Sequence, residues 1–118
     1  MEKDLKQLLL VDLSARFPYN VAVDCRDEVS RFTCYLTSDM LRGIQNNTSY
    51  WEYKPYLFPL SSMTDEQYEN FLLTNSKITL KGVICSTKGF EFLNAHHFDY
   101  RGLIEKCLAI DATGLNIY

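Results

Sequence analysis

Residues 21–36, with the sequence VAVDCRDEVSRFTCYL, decide the fold because apolar and polar side chains alternate along them. Val21, Val23 and Cys25 point to one side of an extended chain, and the residues between them point to the other, which is the period of a half-buried strand. The same period returns after the connecting residues 27–30, DEVS. The stretch therefore predicts an antiparallel hairpin.

Amphipathic helices are predicted on both sides of this hairpin. Residues 2–16 carry leucines at helical spacing, which predicts an N-terminal helix. Thr64 and Gln67 have the spacing of a capping box and predict the start of a second helix. A short helix carrying Phe90 follows, and Asp99 is placed to cap a last helix at its N-terminus.

Shorter extended segments fill the rest of the chain. Residues 40–44 are compatible with a third strand, and the aromatic residues 50–53 predict a short one. Pro55 and Pro59 bracket residues 56–58, which predicts an extended segment that leaves the sheet. Residues 77–85 predict a further strand with Gly82 as a bend or bulge.

The predicted architecture is α+β, with residues 1–118 forming a single domain. A small, bent antiparallel sheet of about four to five strands follows the N-terminal helix, and two to three helices lie in the C-terminal half. The length of 118 residues and the 47% of hydrophobic residues suit one ordinary core.

Charge and composition exclude several classes of function. Twelve basic and fifteen acidic residues give a net charge of -3, and the basic residues are spread singly, which disfavours nucleic acid as a partner. The chain has no apolar run of the ~20 residues that a membrane span needs. Its N-terminal residues lack the features of a signal peptide, so we expect a cytoplasmic protein with reduced thiols.

Metal and cofactor sites are not predicted. The four cysteines, Cys25, Cys34, Cys85 and Cys107, lack the paired spacing of a zinc site. Cys25, Cys34 and Cys107 fall on predicted apolar faces, where a thiol is usually an inert small hydrophobe. We therefore expect no metal and no cofactor.

The aromatic residues around 50–59 are a candidate binding surface, since a small domain cannot easily bury both faces of an aromatic strand. Trp51 and Tyr53 share one face of that strand, and Tyr50 lies on the other. With Tyr56, exposed rings would anchor a protein contact or stack on bases. The alternative is that the rings fill the core and the tyrosine hydroxyls reach the surface.

Residues 93–104, LNAHHFDYRGLI, hold both histidines and are a second candidate. His96 or His97 with Asp99 could form the base and carboxylate of a hydrolase. Adjacent histidines on a helix point about 100° apart, however, and capping explains Asp99 equally well. No nucleophile elbow, phosphate loop or zinc-protease motif occurs in the sequence, so we predict no catalytic residue.

Two segments carry a family resemblance: residues 54–64, KPYLFPLSSMT, and residues 93–104. Together they resemble a family of small uncharacterised proteins of phage and prophage regions in gut bacteria. The resemblance follows most of the chain in order, but Phe58 stands where that family tends to carry a basic residue. It implies a phage or mobile-element setting and no particular activity.

The leading prediction is a small noncatalytic protein-interaction module of phage or mobile-element origin, with a protein as its partner. The alternative is a nucleic-acid-binding adaptor that uses an aromatic sheet face, and the hydrolase ranks third. The predicted binding residues are Tyr50, Trp51, Tyr53, Tyr56, His96, His97, Tyr100 and Arg101.

Overall fold

A computed structural model describes residues 3–46, 51–74, 78–79, 82–83 and 87–118, and its fold is α+β as predicted. The helices are α1 Lys3–Arg16, α2 Ser38–Asn46, α3 Asp65–Thr74 and α4 Thr87–Ala95, with 3-10 turns at Phe17–Tyr19 and Leu60–Ser62. The strands are β1 Ala22–Arg26, β2 Arg31–Tyr35, β3 Glu52–Pro59, β4 Ile78–Thr79, β5 Gly82–Val83, β6 Phe98–Asp99 and β7 Ile110–Asp111.

The predicted hairpin is confirmed: β1 and β2 pair antiparallel, with Val23 opposite Cys34. The Asp27 carboxylate closes the turn by accepting the backbone N–H groups of Val29 at 2.9 Å and Ser30 at 2.6 Å. A short polar side chain in a turn can accept hydrogen bonds from backbone N–H groups that have no backbone acceptor there. The N-terminal helix is confirmed as well.

The prediction that residues 55–59 leave the sheet is wrong, because β3 continues through both prolines. Pro55 is the last β3 residue that pairs with β1, and Tyr56 is the first that pairs with β7. Proline has no N–H group to donate to the backbone hydrogen bonds between strands. Pro55 lies where the pairing with β1 ends and the pairing with β7 begins, which reduces the cost of the missing donor. β3 runs parallel to β6 and β7, so the sheet is mixed rather than antiparallel throughout.

The third strand predicted at residues 40–44 is also wrong, since these residues lie in α2. The Thr37 hydroxyl accepts the Met40 N–H at 3.3 Å and caps the helix. Met40, Leu41 and Ile44 have helical spacing and pack against the core. Burial of one helical face therefore explains why these residues form a helix.

The last helix predicted after Asp99 does not form, and residues 103–107 make turns instead. Asp99 does accept the N–H groups of Leu103 and Ile104, each at 3.0 Å. Gly102 and Cys107 have φ values of 74° and 59°, which interrupt a right-handed helix. Cys107 is exposed rather than on an apolar face.

The single strand predicted at residues 77–85 is wrong in its described part, where β4 pairs antiparallel with β5 and Thr79 lies opposite Gly82. The other residues of that segment, including Cys85, lie outside the described residues. No helix in the described part of the chain is long and apolar enough to cross a membrane.

Three apolar clusters hold the described elements together. The first lies between the sheet and helices α1 and α2 and includes Leu13 and Leu57. The second, on the opposite sheet face, joins Tyr56 to the C-terminal segment through Ala112. The third joins α3 and α4 to β6, and it borders the candidate site.

Candidate functional site

The histidine-rich segment begins where α4 ends, and the two histidines have different environments. His96 is exposed, and its ring centroid lies 4.3 Å from that of Phe92. His97 adopts a φ of 63°, in the left-handed region that ends many helices and usually selects glycine. The His97 carbonyl accepts the Phe58 N–H at 2.8 Å, so the turn is fixed to β3.

The His97 ring stacks on Tyr118, with ring centroids 3.7 Å apart and planes 10° from parallel. Burial lowers the pKa of His97 from 6.5 to about 4, assisted by the positive charges of Arg16 and His96. Its Nδ1 atom is buried and has no hydrogen-bond partner among the described residues. His97 is therefore a neutral, packed ring near neutral pH.

Asp99 is committed to the backbone and not to a histidine. Its two carboxylate oxygens accept the N–H groups of Leu103 and Ile104. Within the described ranges, no hydrogen bond or ion pair joins Asp99 to His96 or His97. The oriented histidine that a general base requires is not formed here.

Arg101 belongs to a network formed with Asp12 and Arg16, which we call the arginine network. The Asp12 carboxylate accepts Arg16 Nε at 2.7 Å and Arg101 Nη1 at 2.8 Å. The side chains of Asp12 and Arg16 are 0% exposed, and that of Arg101 is 24% exposed. Arg16 also donates to the Phe98 carbonyl at 2.6 Å, so the network joins α1 to β6.

The arginine network holds the Tyr100 ring in place. The Tyr100 hydroxyl donates to Asn94 Oδ1 at 2.8 Å and accepts from Arg101 Nη1 at 3.0 Å. The guanidinium carbons of Arg101 and Arg16 lie 4.6 and 5.2 Å from the ring centroid, within cation–π distance. Tyr100 is therefore a rigid wall for any cavity that it borders.

That cavity lies between α3 and α4, has a volume of about 500 Å³, and is called the aromatic pocket below. Four rings line it: Tyr68, Phe71, Phe90 and Tyr100. Three aliphatic side chains complete its apolar lining: Leu60, Met63 and Leu93. Asp65 is the one charged side chain in the described lining.

The aromatic pocket combines a buried interior with an open rim. Phe71 and Leu93 are buried and belong to the third core cluster. Tyr68 is 50% exposed and Phe90 is 40% exposed, so solvent reaches the rim. Apolar pockets of roughly 300–1,000 Å³ with a few polar groups are typical of binding sites. The geometry suits binding of an apolar group.

The described residues of the predicted aromatic strand are mostly packed against other side chains. Trp51 and Tyr53 are half-buried against the first core cluster, and Trp51 meets Phe32 edge to face at 5.0 Å. Tyr56 is only 5% exposed, and its backbone carbonyl accepts the Tyr118 hydroxyl at 2.7 Å. Tyr50 lies outside the described residues. Of the eight predicted binding residues, Tyr100 alone is a described lining residue of the aromatic pocket.

The described cysteines pack without forming a metal cluster. Cys25 and Cys34 lie side by side on β1 and β2, with their Sγ atoms 3.2 Å apart. Burial, together with the hydrogen bond between the Cys25 and Cys34 thiols, raises the pKa of Cys25 to about 12, which disfavours its thiolate. Among the described residues, no group of three potential metal ligands comes together.

Sequence patterns assigned Tyr68, Phe71 and Phe90 to the apolar faces of helices, and did not indicate that they border a cavity. A usable signal was present, because two short helices carry more large rings than their contact with each other can cover. Leu60 and Met63 gave no signal of a site.

Comparison of the chain with protein-family models, with curated proteins and with solved structures finds no match.

Proposed function

We propose that the protein is a small noncatalytic interaction module whose aromatic pocket binds a bulky apolar side chain of a partner protein. The observation that carries this proposal is the pocket of about 500 Å³ between α3 and α4, with rings at both its interior and its rim. Large rings in well-packed pockets provide most of the binding energy in many protein interfaces.

The preorganised wall of the pocket supports a role in binding rather than in catalysis. Tyr100 is already fixed by Asn94 and Arg101, so a ligand would not lose free energy by ordering that wall. Of the groups of the hydrolase alternative, His97 packs on Tyr118 and Asp99 accepts backbone N–H groups, while His96 is exposed and contacts Phe92.

A protein partner also suits the charge of the chain better than nucleic acid does. The net charge is -3, and the charged side chain at the pocket, Asp65, would repel a phosphate backbone. The half-buried positions of Trp51 and Tyr53 leave less ring surface for stacking on bases than an open sheet face would.

The biological setting is part of the proposal. The resemblance of residues 54–64 and 93–104 to small phage and prophage proteins supports an origin in a mobile element. A cytoplasmic location is part of the same proposal.

The proposal is tested by selecting a displayed library of random peptides against the purified protein. We expect enrichment of sequences with a tryptophan, phenylalanine, leucine or methionine at one fixed position. Tyr68→Ala and Phe90→Ala should weaken the selected peptides by about tenfold, because each removes one wall of the pocket.

Tyr35→Ala is the matched control, since Tyr35 is an exposed ring on β2 that does not line the pocket. Its affinity for the selected peptides should equal that of the wild-type protein. The proposal is overturned if no peptide binds above background, or if Tyr68→Ala and Phe90→Ala bind the selected peptides as tightly as wild type does.

A further inference from the structure

We infer that the aromatic pocket selects a protein segment in which a lysine or arginine neighbours the bulky apolar side chain, with Asp65 as the residue that recognises the cation. This inference rests on the proposed function and adds the chemistry of the partner. It follows from the charges of α3, from the lining of the pocket and from the surroundings of Tyr100.

Asp65 places an exposed carboxylate at the pocket, in the first turn of α3. It lines the pocket, is exposed, and makes no ion pair with any residue in the described ranges. The capping of α3 is supplied by its neighbour, because Thr64 Oγ1 accepts the Gln67 N–H at 3.1 Å and Gln67 Oε1 accepts the Thr64 N–H at 2.9 Å. The Asp65 carboxylate is thus free to meet a ligand group.

The helix that carries Asp65 is acidic as a whole. α3 has three carboxylates and no basic residue, since Asp65, Glu66 and Glu69 are its charged side chains. α4 contributes one charge of each sign, from Lys88 and Glu91. A partner segment that carries positive charge is therefore favoured at this rim, both in steering and in specificity.

Positive charge, in contrast, lies beside the Tyr100 ring. One carboxylate, Asp12, faces the two guanidinium groups of Arg16 and Arg101, which leaves one net positive charge beside the Tyr100 ring. A ligand cation is disfavoured against that ring and is favoured at Asp65. The pocket therefore suits a ligand with a neutral apolar body and a cation at one end.

The ligand class follows from these two features together. Tyr68, Phe71 and Phe90 provide apolar and aromatic surface for the body of the ligand, and Asp65 provides an acceptor for an ammonium or guanidinium group. In a protein partner, this combination is a large apolar residue beside lysine or arginine.

The test uses two probes that differ only in the ammonium group: acetyl-Phe-Lys-amide and acetyl-Phe-norleucine-amide. Their affinities are measured by NMR titration of the full chain at low and at high salt. We expect the lysine probe to bind about two- to fivefold more tightly at low salt, and the preference to shrink at high salt.

Asp65→Asn should abolish this preference, so that the lysine and norleucine probes bind the variant with equal affinity. Glu66→Gln is the matched control, because it removes a charge from the same helix turn but not from the described pocket lining. It should retain most of the preference. Thermal unfolding of both variants verifies that α3 is intact.

Equal affinity of the two probes for the wild-type protein overturns the inference, as does a preference that persists in Asp65→Asn. Failure of both probes to bind overturns it as well. These outcomes are separable from failure of the proposed function, which is judged by the selected peptides. Peptides that bind through Tyr68 and Phe90 without a basic residue would sustain the function and refute the inference.

Discussion

At the scale of single residues, His97 shows how a side chain that looks reactive in sequence is used for packing. Its φ of 63° belongs to a helix end that glycine occupies at less cost. The ring compensates by stacking on Tyr118, whose hydroxyl accepts the Ala22 N–H at 2.9 Å. His97 therefore connects the end of α4 to the C-terminal residue and, through it, to β1.

His97 should make the free energy of unfolding depend on pH. Its pKa is about 4 in the folded protein and near 6.5 when unfolded, so the unfolded chain binds the proton first as pH falls. Its contribution is complete above pH 6.5 and is lost between pH 6.5 and about 4. We expect a loss on the order of 1–2 kcal/mol, measured by urea unfolding at pH 7 and pH 4.5.

His97→Asn should remove this part of the pH dependence, since asparagine tolerates the left-handed region and does not titrate. His96→Asn is the control and should retain most of the pH dependence, because burial rather than the charge of the exposed His96 is the main cause of the lowered pKa of His97. Identical pH dependence in wild type and His97→Asn would refute the assignment.

At the scale of elements, a local capping signal determines where α3 begins, whereas burial of one face explains why α2 is a helix. The capping box at Thr64 and Gln67 forms with both of its reciprocal hydrogen bonds. The short apolar run at residues 40–44 was compatible with a strand, but its helical face packs on the first core cluster. Short apolar runs are ambiguous between helix and strand, and tertiary contacts choose between them.

Thr64→Ala should destabilise the domain by about 1 kcal/mol, because the Gln67 N–H loses its acceptor at the helix N-terminus. The midpoint of urea unfolding measures the effect. Ser14→Ala, an exposed change inside α1, should shift the free energy of unfolding by less than about 0.5 kcal/mol. A Thr64→Ala variant as stable as wild type would show that tertiary packing alone maintains α3.

At the scale of the whole molecule, the arginine network joins parts of the chain that lie far apart in sequence. Asp12 in α1 contacts Arg101, 89 residues later, and Arg16 reaches the Phe98 carbonyl of β6. Buried ion pairs of this kind add little net stability, but removal of one partner leaves a charge buried without compensation. The network also fixes Tyr100, so it affects the shape of the aromatic pocket.

Asp12→Ala should therefore destabilise the domain by roughly 3–5 kcal/mol, since Arg16 keeps its charge in a fully buried position. Thermal unfolding measures the loss. Asp39→Ala is the control, because Asp39 and Arg42 form an exposed pair at 3.6 Å and their separation should cost less than about 1 kcal/mol. Equal stability of the two variants would contradict the role of the network.

Sequence alone determined the α+β class, the helix α1, the β1–β2 hairpin and the start of α3. Each depends on side chains within a few positions of one another, whose period or capping geometry is local. Tertiary structure decided the course of β3 through Pro55 and Pro59, because that strand depends on β6 and β7, which are distant in sequence. It also decided the aromatic pocket and the use of His97 and Asp99, since cavities and buried polar contacts arise only when separate elements pack together.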